Sequence, residues 1–328
     1  MRRTLLLVPA LLAAGCGTQG GLHLENDGHR IAVVAPPSTG GSGRPARLPR
    51  RVTAHVELGG VPTLAWGGGP VWAAVWPAGP RALGSLIAID PVTGKPGAAR
   101  PLPPSTQPYL VVATATTLFV AGSDRLLQID ATGRVTAHLA LSAPPRGLVD
   151  SLGSIWLTID RGSLLQIDPT RLTVTRTLNV TGAPDAITAV TGSVYVTDDH
   201  DRALRRIDPK SGRVAATVSI AADGAAAPTG LTVYGDSIWA YEGSSVVRLQ
   251  RRGERLLDRI TLPDGAGALA AGSGGVWVTG DFGLARIDSL TGSLGRPIPL
   301  PGGGRALATT GSAVWVADGH GTVLRISP

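Results

Sequence analysis

Aromatic residues recur along this chain at a spacing that few folds produce. Each lies in a short run of β-branched and apolar residues, such as SVYVT at 193–197, which is the pattern of a β-strand. The successive gaps are 47, 37, 39, 44, 38 and 38 residues in the series Trp72, Phe119, Trp156, Tyr195, Trp239, Trp277 and Trp315. A period near 40 residues is typical of one four-stranded propeller blade, so the series predicts seven blades.

A turn signal follows most of these aromatic strands. It reads Ile-Asp before a turn, as in Ile207-Asp208-Pro209-Lys210-Ser211-Gly212, and the fifth unit departs from it with Leu249-Gln250-Arg251. An Asp at the first turn position bonds the turn backbone, so we interpret this set as structural. The set is Asp90, Asp130, Asp168, Asp208 and Asp288. No 3.6-residue apolar period appears outside the N-terminus, so helices should be nearly absent.

The two ends of the repeat region indicate how the ring closes. The last unit stops one strand short, and RVTAHVEL at 51–58 has no blade in front of it. It agrees at six of eight positions with RVTAHLAL at 134–141, a predicted fourth strand. We therefore predict an all-β, seven-bladed propeller of four-stranded antiparallel blades, with strand 51–58 pairing in the last blade. Such closure removes open sheet edges.

The repeat resembles a known family. The segment VYVTDDHDRALRRIDPKSGRVAATVSI is similar to the YVTN-type β-propeller repeat, with Asp198 where the family usually has Asn. The resemblance extends over all seven units and is closest at 193–220, 274–300 and 311–326. Members of that family are extracytoplasmic propellers, and most are binding proteins whose ligands are ill-defined. The resemblance therefore implies an extracytoplasmic binding propeller. Seven-bladed lyases of the virginiamycin B type have similar repeats, but their Glu and paired His residues have no counterparts here.

The N-terminus predicts export and anchoring. A basic start, an apolar run and Leu12-Ala13-Ala14-Gly15-Cys16 resemble a bacterial lipoprotein signal, so residues 1–15 are expected to be removed. Cys16 is the single cysteine, which favours lipidation over a buried thiol. Residues 16–50, rich in Gly, Pro and Ser, are interpreted as a flexible tether and 51–328 as the propeller. The expected location is the cell membrane, facing outside the cytoplasm.

Composition narrows the partners. The formal charge is +7 and falls to +5 without Arg2 and Arg3, with only two lysines, Lys95 and Lys210. No basic run and no basic patch with interleaved aromatic residues is present, so nucleic acid is excluded as a partner. A mild positive excess suits a domain beside an anionic envelope.

Blade topology divides the polar residues between two ends of the ring. Loops joining strands two and three share one end with the blade-to-blade connections; we call this the loop face, and the opposite end the turn face. The loops between strands two and three on this face also include Glu242. The candidate ligand-binding residues of the loop face are Asp124, Arg125, Asp160, Arg161, Asp198, Asp199, His200, Asp201, Arg202, Asp281, Asp318 and His320. The alternative is a solvated rim of ion pairs. Asp150, on an inner strand, is a candidate for the central channel.

The sequence leaves three classes of function open. No HExxH, GxSxG, P-loop or GxGxxG motif occurs, no catalytic residue is assigned, and no cofactor or metal ligand set is predicted. The favoured hypothesis is a lipid-anchored module that binds an envelope protein, a glycan or a small ligand at one mouth. The alternative is a metal-dependent lyase or lactone hydrolase at the same mouth, although no ligand pattern supports a divalent cation. A third reading is a purely architectural envelope component.

Overall fold

Seven antiparallel β-sheets make up the fold of this chain in a computed structural model. The structure describes residues 49–77, 83–104, 106–160, 162–180, 182–190, 192–220, 228–252, 255–263 and 266–328. These ranges contain no α-helix, and thus none long and apolar enough to cross a membrane. The predicted signal segment, Cys16 and nearly all of the predicted tether lie outside the described residues.

The strands follow one order in each blade, from the inner to the outer strand. Blades one to three comprise β2 (Gly60–Trp66), β3 (Val71–Pro77), β4 (Ser85–Ile89) and β5 (Arg100–Pro101); β6 (Leu110–Ala113), β7 (Thr117–Ala121), β8 (Arg125–Asp130) and β9 (Val135–Ala140); β10 (Pro145–Ser151), β11 (Ser154–Ile159), β12 (Ser163–Asp168) and β13 (Thr173–Asn179). Blades four and five comprise β14 (Pro184–Val190), β15 (Ser193–Asp198), β16 (Ala203–Ile207) and β17 (Val214–Ser219); β18 (Pro228–Tyr234), β19 (Ser237–Glu242), β20 (Ser245–Gln250) and β21 (Leu256–Thr261). Blades six and seven comprise β22 (Ala266–Gly272), β23 (Gly275–Gly280) and β24 (Gly283–Ile287); β25 (Ala306–Thr309), β26 (Val314–Ala317), β27 (Thr322–Ile326) and β1 (Val52–Glu57).

The first strand closes the ring, as predicted. β1 pairs antiparallel with β27, so that Val52 lies opposite Ile326 and Glu57 opposite Thr322. The seventh blade is thus assembled from both ends of the described chain. Its edge strand is paired within the ring, which satisfies backbone groups that would otherwise form an open edge.

The outer positions of blades one and six are irregular. The sixth sheet has three strands, and the segment after it pairs with β24 through the isolated bridges Leu284–Ile298 and Ile287–Leu294 rather than a continuous ladder. Pro297 and Pro299 flank the first bridge, and proline has no N–H to donate to a ladder. In blade one the fourth strand is reduced to Arg100–Pro101. The sequence repeat gave no warning of either shortening.

The core lies between blades rather than at one centre. Seven apolar clusters are found among the described residues, one for each pair of neighbouring blades. In each, the repeated aromatic residue of the second strand packs on the following blade. Trp315 of blade seven, for example, packs with Val71 and Ile89 of blade one. Burying such a side chain stabilises the fold by roughly 2–3 kcal/mol, so the repeated aromatic residue accounts for much of the blade stacking.

The turn aspartates are structural, as interpreted from the sequence. Each of the five carboxylates accepts hydrogen bonds from N–H groups of its own turn; Asp90, for example, accepts from Val92 at 2.9 Å and Thr93 at 2.7 Å. Hydrogen bonds from turn N–H and hydroxyl groups lower the pKa of all five. In blade five Gln250 occupies this position.

Candidate functional site

The loop face carries the polar loops that the sequence predicted there, and most of their acids are engaged within the protein. Asp124 forms a two-pronged pair with the adjacent Arg125 at 2.8 and 2.9 Å, which lowers the pKa of Asp124. Asp281 of blade six accepts a 2.7 Å hydrogen bond from Arg305 of blade seven. These pairs neutralise charge at the rim, and exposed pairs of this kind contribute little stability.

Blade four has a tighter network. Asp198 is buried and pairs with the equally buried Arg205 at 3.0 Å, while Arg205 also pairs with Asp201 and donates to the carbonyl of Val180 in the preceding blade. His200 is exposed and bonds Asp201 at 2.8 Å, a contact that raises the pKa of His200. The network therefore joins two blades, and Asp198 is embedded in it rather than open to a ligand.

Blade five repeats this arrangement with different residues. The carboxylate of Glu242 is fully buried and is ion-paired with Arg259, which donates at 2.6 Å to the carbonyl of Ile220 at the end of blade four. The acid at the end of the second strand thus anchors an arginine that bonds the preceding blade. We interpret Asp198 and Glu242 as structural clamps.

The remaining candidates on this face are scattered. Asp318 is buried and accepts the N–H groups of His320 at 2.8 Å and Thr322 at 2.7 Å, so it builds its own loop. Arg202 is exposed with a φ of 50°, and Arg161 lies outside the described residues. Blades four and seven hold His200 and His320, and the described residues contain no group of three or more His, Cys, Asp or Glu that could hold a metal.

A denser site forms where inner strands reach the loop face. In blades three to six the inner strand has a register shift at its first residues, after Pro145, Pro184, Pro228 and Ala266. Such bulges re-aim side chains and are frequent beside active sites. Arg146 occupies the bulge of blade three, and Asp185 lies in that of blade four.

Four charged residues meet at these two bulges, and we call them the mouth cluster: Arg146, Asp160, Asp185 and Asp199. Arg146 pairs with Asp160 at 2.6 Å, with both side chains partly buried. The charges of Arg146, Asp199 and Asp160 all act on Asp185. Asp160 and Asp199 come from the loops of blades three and four. The cluster therefore has two more negative than positive charges when every carboxyl is ionised.

The backbone under the cluster is fixed by the preceding blade. Thr158, fully buried on the second strand of blade three, donates to the carbonyl of Asp185 at 2.7 Å. A Cβ added to Gly147 would lie 2.5 Å from that same carbonyl oxygen, so blade four can approach only because residue 147 is glycine. A threonine and a glycine of the repeat thus determine where Asp185 lies.

Asp185 has an unusual protonation equilibrium. Its side chain is partly buried, and burial raises its pKa to about 6. Arg146 lowers this pKa, while the carboxylates of Asp199 and Asp160 raise it further. A carboxyl group of this kind is mostly ionised at neutral pH, but its pKa lies close enough to neutrality for it to take up a proton readily. It can bind a cation or accept a proton.

Asp150 lies at the other end of the ring. It is on the inner strand of blade three, as predicted, opposite Ile155 and one residue from the turn that begins β11. Strand direction puts that turn on the turn face. Asp150 is exposed, and partial desolvation raises its pKa. It therefore does not belong to the mouth cluster.

Sequence reasoning found Asp160 and Asp199 but missed Arg146 and Asp185. The available signal was a charged residue directly after proline at the start of an inner strand, as in Pro145-Arg146-Gly147 and Pro184-Asp185-Ala186. The inner strands otherwise consist largely of Ala, Gly, Thr and aliphatic residues. The repeat does not reveal that a bulge turns these two side chains toward neighbouring loops.

Several solved propellers share this fold. A streptogramin B lyase is similar, with 16% identity, a TM-score of 0.71, and coverage of 83% of this chain and 95% of that one. A catalytically inactive virginiamycin B lyase from Staphylococcus aureus with quinupristin is similar at 18% identity and a TM-score of 0.72, over 84% of this chain and 98% of that one. The Pan2 WD40 domain of Neurospora crassa is similar at 12% identity and a TM-score of 0.69, over 82% of this chain and 90% of that one. No protein-family profile and no curated protein sequence matches the chain. At these identities the similarity establishes the fold alone.

Proposed function

We propose that this protein is a lipid-anchored, extracytoplasmic propeller that binds a ligand at its loop-face mouth. The mouth cluster supports this assignment, because it concentrates three carboxylates and one arginine at one point of the rim. Asp124, Asp198, Glu242 and Asp281 are instead each paired with one arginine, and Asp318 bonds the backbone of its own loop. The group recognised at the mouth cluster is positively charged.

The physical argument is one of charge balance. The cluster has an excess of two negative charges, and Asp185 is held in a partly desolvated position where an electrostatic attraction is stronger than in bulk water. A lysine or arginine side chain, or an amine on a glycan or small molecule, would offset the cost of that desolvation. Binding should in turn lower the pKa of Asp185, because a nearby cation favours the ionised form.

Proximity labelling in intact cells tests the binding proposal. The wild-type protein, Asp185→Asn and Asp124→Asn would each be fused to the same labelling enzyme. Asp124→Asn removes an equal charge from the same face, but at a pair outside the cluster. Neighbours labelled by wild type and Asp124→Asn but lost with Asp185→Asn would be mouth ligands. Unchanged neighbours in all three would contradict the assignment.

Lipid anchoring at Cys16 has its own test. Metabolic labelling with an alkyne-bearing fatty acid should mark the wild-type protein and leave Cys16→Ala unmarked. The variant should also move from the membrane pellet to the soluble extracytoplasmic fraction. Label retained by Cys16→Ala would refute lipidation at this residue without affecting the proposal for the mouth.

A second candidate is a lyase or lactone hydrolase at the same mouth, favoured by the pKa of Asp185. A general base is most effective when its pKa lies near the working pH, and a pKa of about 6 meets that condition. Quinupristin accompanies one of the similar lyases and is the natural first substrate to try. Mass spectrometry would follow its cleavage with added Mg²⁺ or with a chelator. Turnover lost in Asp185→Asn supports catalysis, while intact substrate in both conditions contradicts it for this compound.

A further inference from the structure

A second charged site lies on the turn face, between blades four and five. It is a cleft of about 720 Å³, a volume within the usual range for small-molecule sites. Blade four contributes Tyr195 and Arg206, and blade five contributes the turn that follows β20. Its lining includes Tyr195, Arg206, Asp236, Gln250, Arg251 and Arg252. The cleft is on the opposite face from the mouth cluster and is independent of it.

The cleft is positively charged because the turn of blade five departs from the repeat. Five other blades begin this turn with an aspartate, but blade five has Gln250 followed by Arg251 and Arg252. The first turn position thereby has a neutral amide in place of a carboxylate, and two guanidinium groups follow it; the formal charges of Glu254 and Arg255, further along the sequence, cancel. The described lining has three arginines against the single acid Asp236. Asp236 lies 3.6 Å from Arg251, but its side chain is 96% exposed, so solvent screens the pair.

Tyr195 joins the two walls of the cleft. Its hydroxyl donates to the carbonyl of Arg251, so blade four holds the turn of blade five in place. Two other blades hold the next turn with a third-strand residue: Gln128 donates to the carbonyl of Pro169 at 2.7 Å, and Arg325 to that of Pro91 at 3.0 Å. Arg206, the third-strand residue of blade four, lines the cleft.

We propose that this cleft binds an oxyanion, with phosphate as its main ligand group. Three arginines surround it, and the planar guanidinium group matches the oxygen spacing of a phosphate through two parallel hydrogen bonds. The buried ring of Tyr195 and the turn backbone hold the walls, since Arg251 N–H also bonds the carbonyl of Asp236 at 2.8 Å. The ligand enters from solvent and replaces water around the guanidinium groups.

Two sources supply such a group: a soluble phosphate compound and the headgroup of an anionic lipid. β1 begins at Val52 on the turn face and runs toward the loop face, where Leu58 N–H bonds the carbonyl of Gly321. The described chain therefore starts on the face that holds the cleft. The predicted tether thus joins the propeller at this face, so an anionic headgroup is one source that the test includes.

Calorimetric titration and vesicle sedimentation test the proposal on the full chain with Cys16→Ala. The probes are inorganic phosphate, glycerol phosphate, and vesicles of phosphatidylcholine with or without phosphatidylglycerol. Binding of the free phosphates alone identifies a soluble ligand, and binding that includes the phosphatidylglycerol vesicles identifies a headgroup. Either result supports the site. No binding of any probe overturns it.

Variants locate the binding. Arg252→Gln should weaken it by about fivefold, and the double change with Arg251→Gln by about thirtyfold or more, since charge-assisted hydrogen bonds are lost. Arg171→Gln removes the same charge from the turn of blade three, outside the cleft, and should change affinity by less than about twofold. Gln250→Asp keeps all three arginines, restores the acid of the repeat and should also weaken binding. Unchanged affinity in the double variant or in Gln250→Asp, or equal loss in Arg171→Gln, overturns the assignment.

Discussion

Replacing Asp185 by Asn should stabilise the protein at neutral pH and leave its stability at pH 4 almost unchanged. The pKa of this carboxyl is about 6 in the fold against 3.8 for an ordinary aspartate. The folded state therefore binds the proton more tightly than the unfolded state. The free energy of unfolding falls as pH rises from about 4 to about 6, and above that range it has lost the whole contribution of the bound proton.

The magnitude follows from the size of the pKa shift. Each unit corresponds to about 1.4 kcal/mol, so a shift of about two units costs about 3 kcal/mol at pH 7.5. Asn has nearly the shape of the protonated acid and no charge to desolvate. Asp185→Asn should recover most of that cost at pH 7.5 and almost none at pH 4. For a domain of this size, whose unfolding entropy is about 0.6 kcal/mol/K, the gain raises Tm by roughly 5 °C.

Intrinsic tryptophan fluorescence is a suitable assay, because Trp156, Trp239 and Trp315 are fully buried between blades. Thermal and urea unfolding would be recorded from pH 4 to pH 8 for the wild type, Asp185→Asn and Asp124→Asn. The last variant serves as control, since Arg125 lowers the pKa of Asp124 and its carboxylate is exposed. A Tm difference that is the same at pH 4 and pH 7.5, or a lower Tm for Asp185→Asn at pH 7.5, would refute the reasoning.

Three further predictions concern the clamps, the mouth backbone and ring closure. Arg205→Ala should lower the free energy of unfolding in urea by about 3–5 kcal/mol, because it leaves the buried Asp198 without its arginine. The control Asp201→Asn changes an exposed partner of Arg205 and should cost less than about 1 kcal/mol. Similar costs for the two variants would contradict the clamp. Gly147→Ala places a Cβ 2.5 Å from the carbonyl oxygen of Asp185, so it should lower Tm and flatten the pH dependence between pH 4 and 6, and a wild-type profile would argue against this contact. Deleting residues 1–57 removes β1 from the seventh blade and should abolish cooperative melting in a thermal scan, whereas deleting residues 1–48 should not; equal melting curves would show that β1 is dispensable.

The architecture was predictable because the sequence pattern of one blade recurs seven times. Each unit carries its own aromatic strand and, in most cases, its own aspartate turn, and both signals depend on residues close together in sequence. The pairing of β1 with β27 was equally accessible, since 51–58 resembles a fourth strand elsewhere in the chain. The prolines of 297–299 were visible, but their effect depends on which N–H groups the neighbouring strand needs.

The functional residues were only partly predictable. Sequence placed Asp124, Asp198 and Asp281 on one face, and strand alternation was sufficient for that. It did not show that Arg125, Arg205 and Arg305 engage them, because two of these arginines come from strands or blades that only folding brings near. The mouth cluster depends on bulges, which have no simple periodic signature.

The sequence by itself determined the number of blades, the residue that stacks each blade on the next, and the five aspartate turns, because those features follow from local periodicity. Only the tertiary structure decided which charges remain available. A threonine and a glycine of the preceding blade hold the backbone of Asp185 in a partly buried position, and burial there raises the pKa of its carboxyl despite the opposing charge of Arg146. Charge and solvation depend on neighbours in space, and a propeller takes those neighbours from different blades.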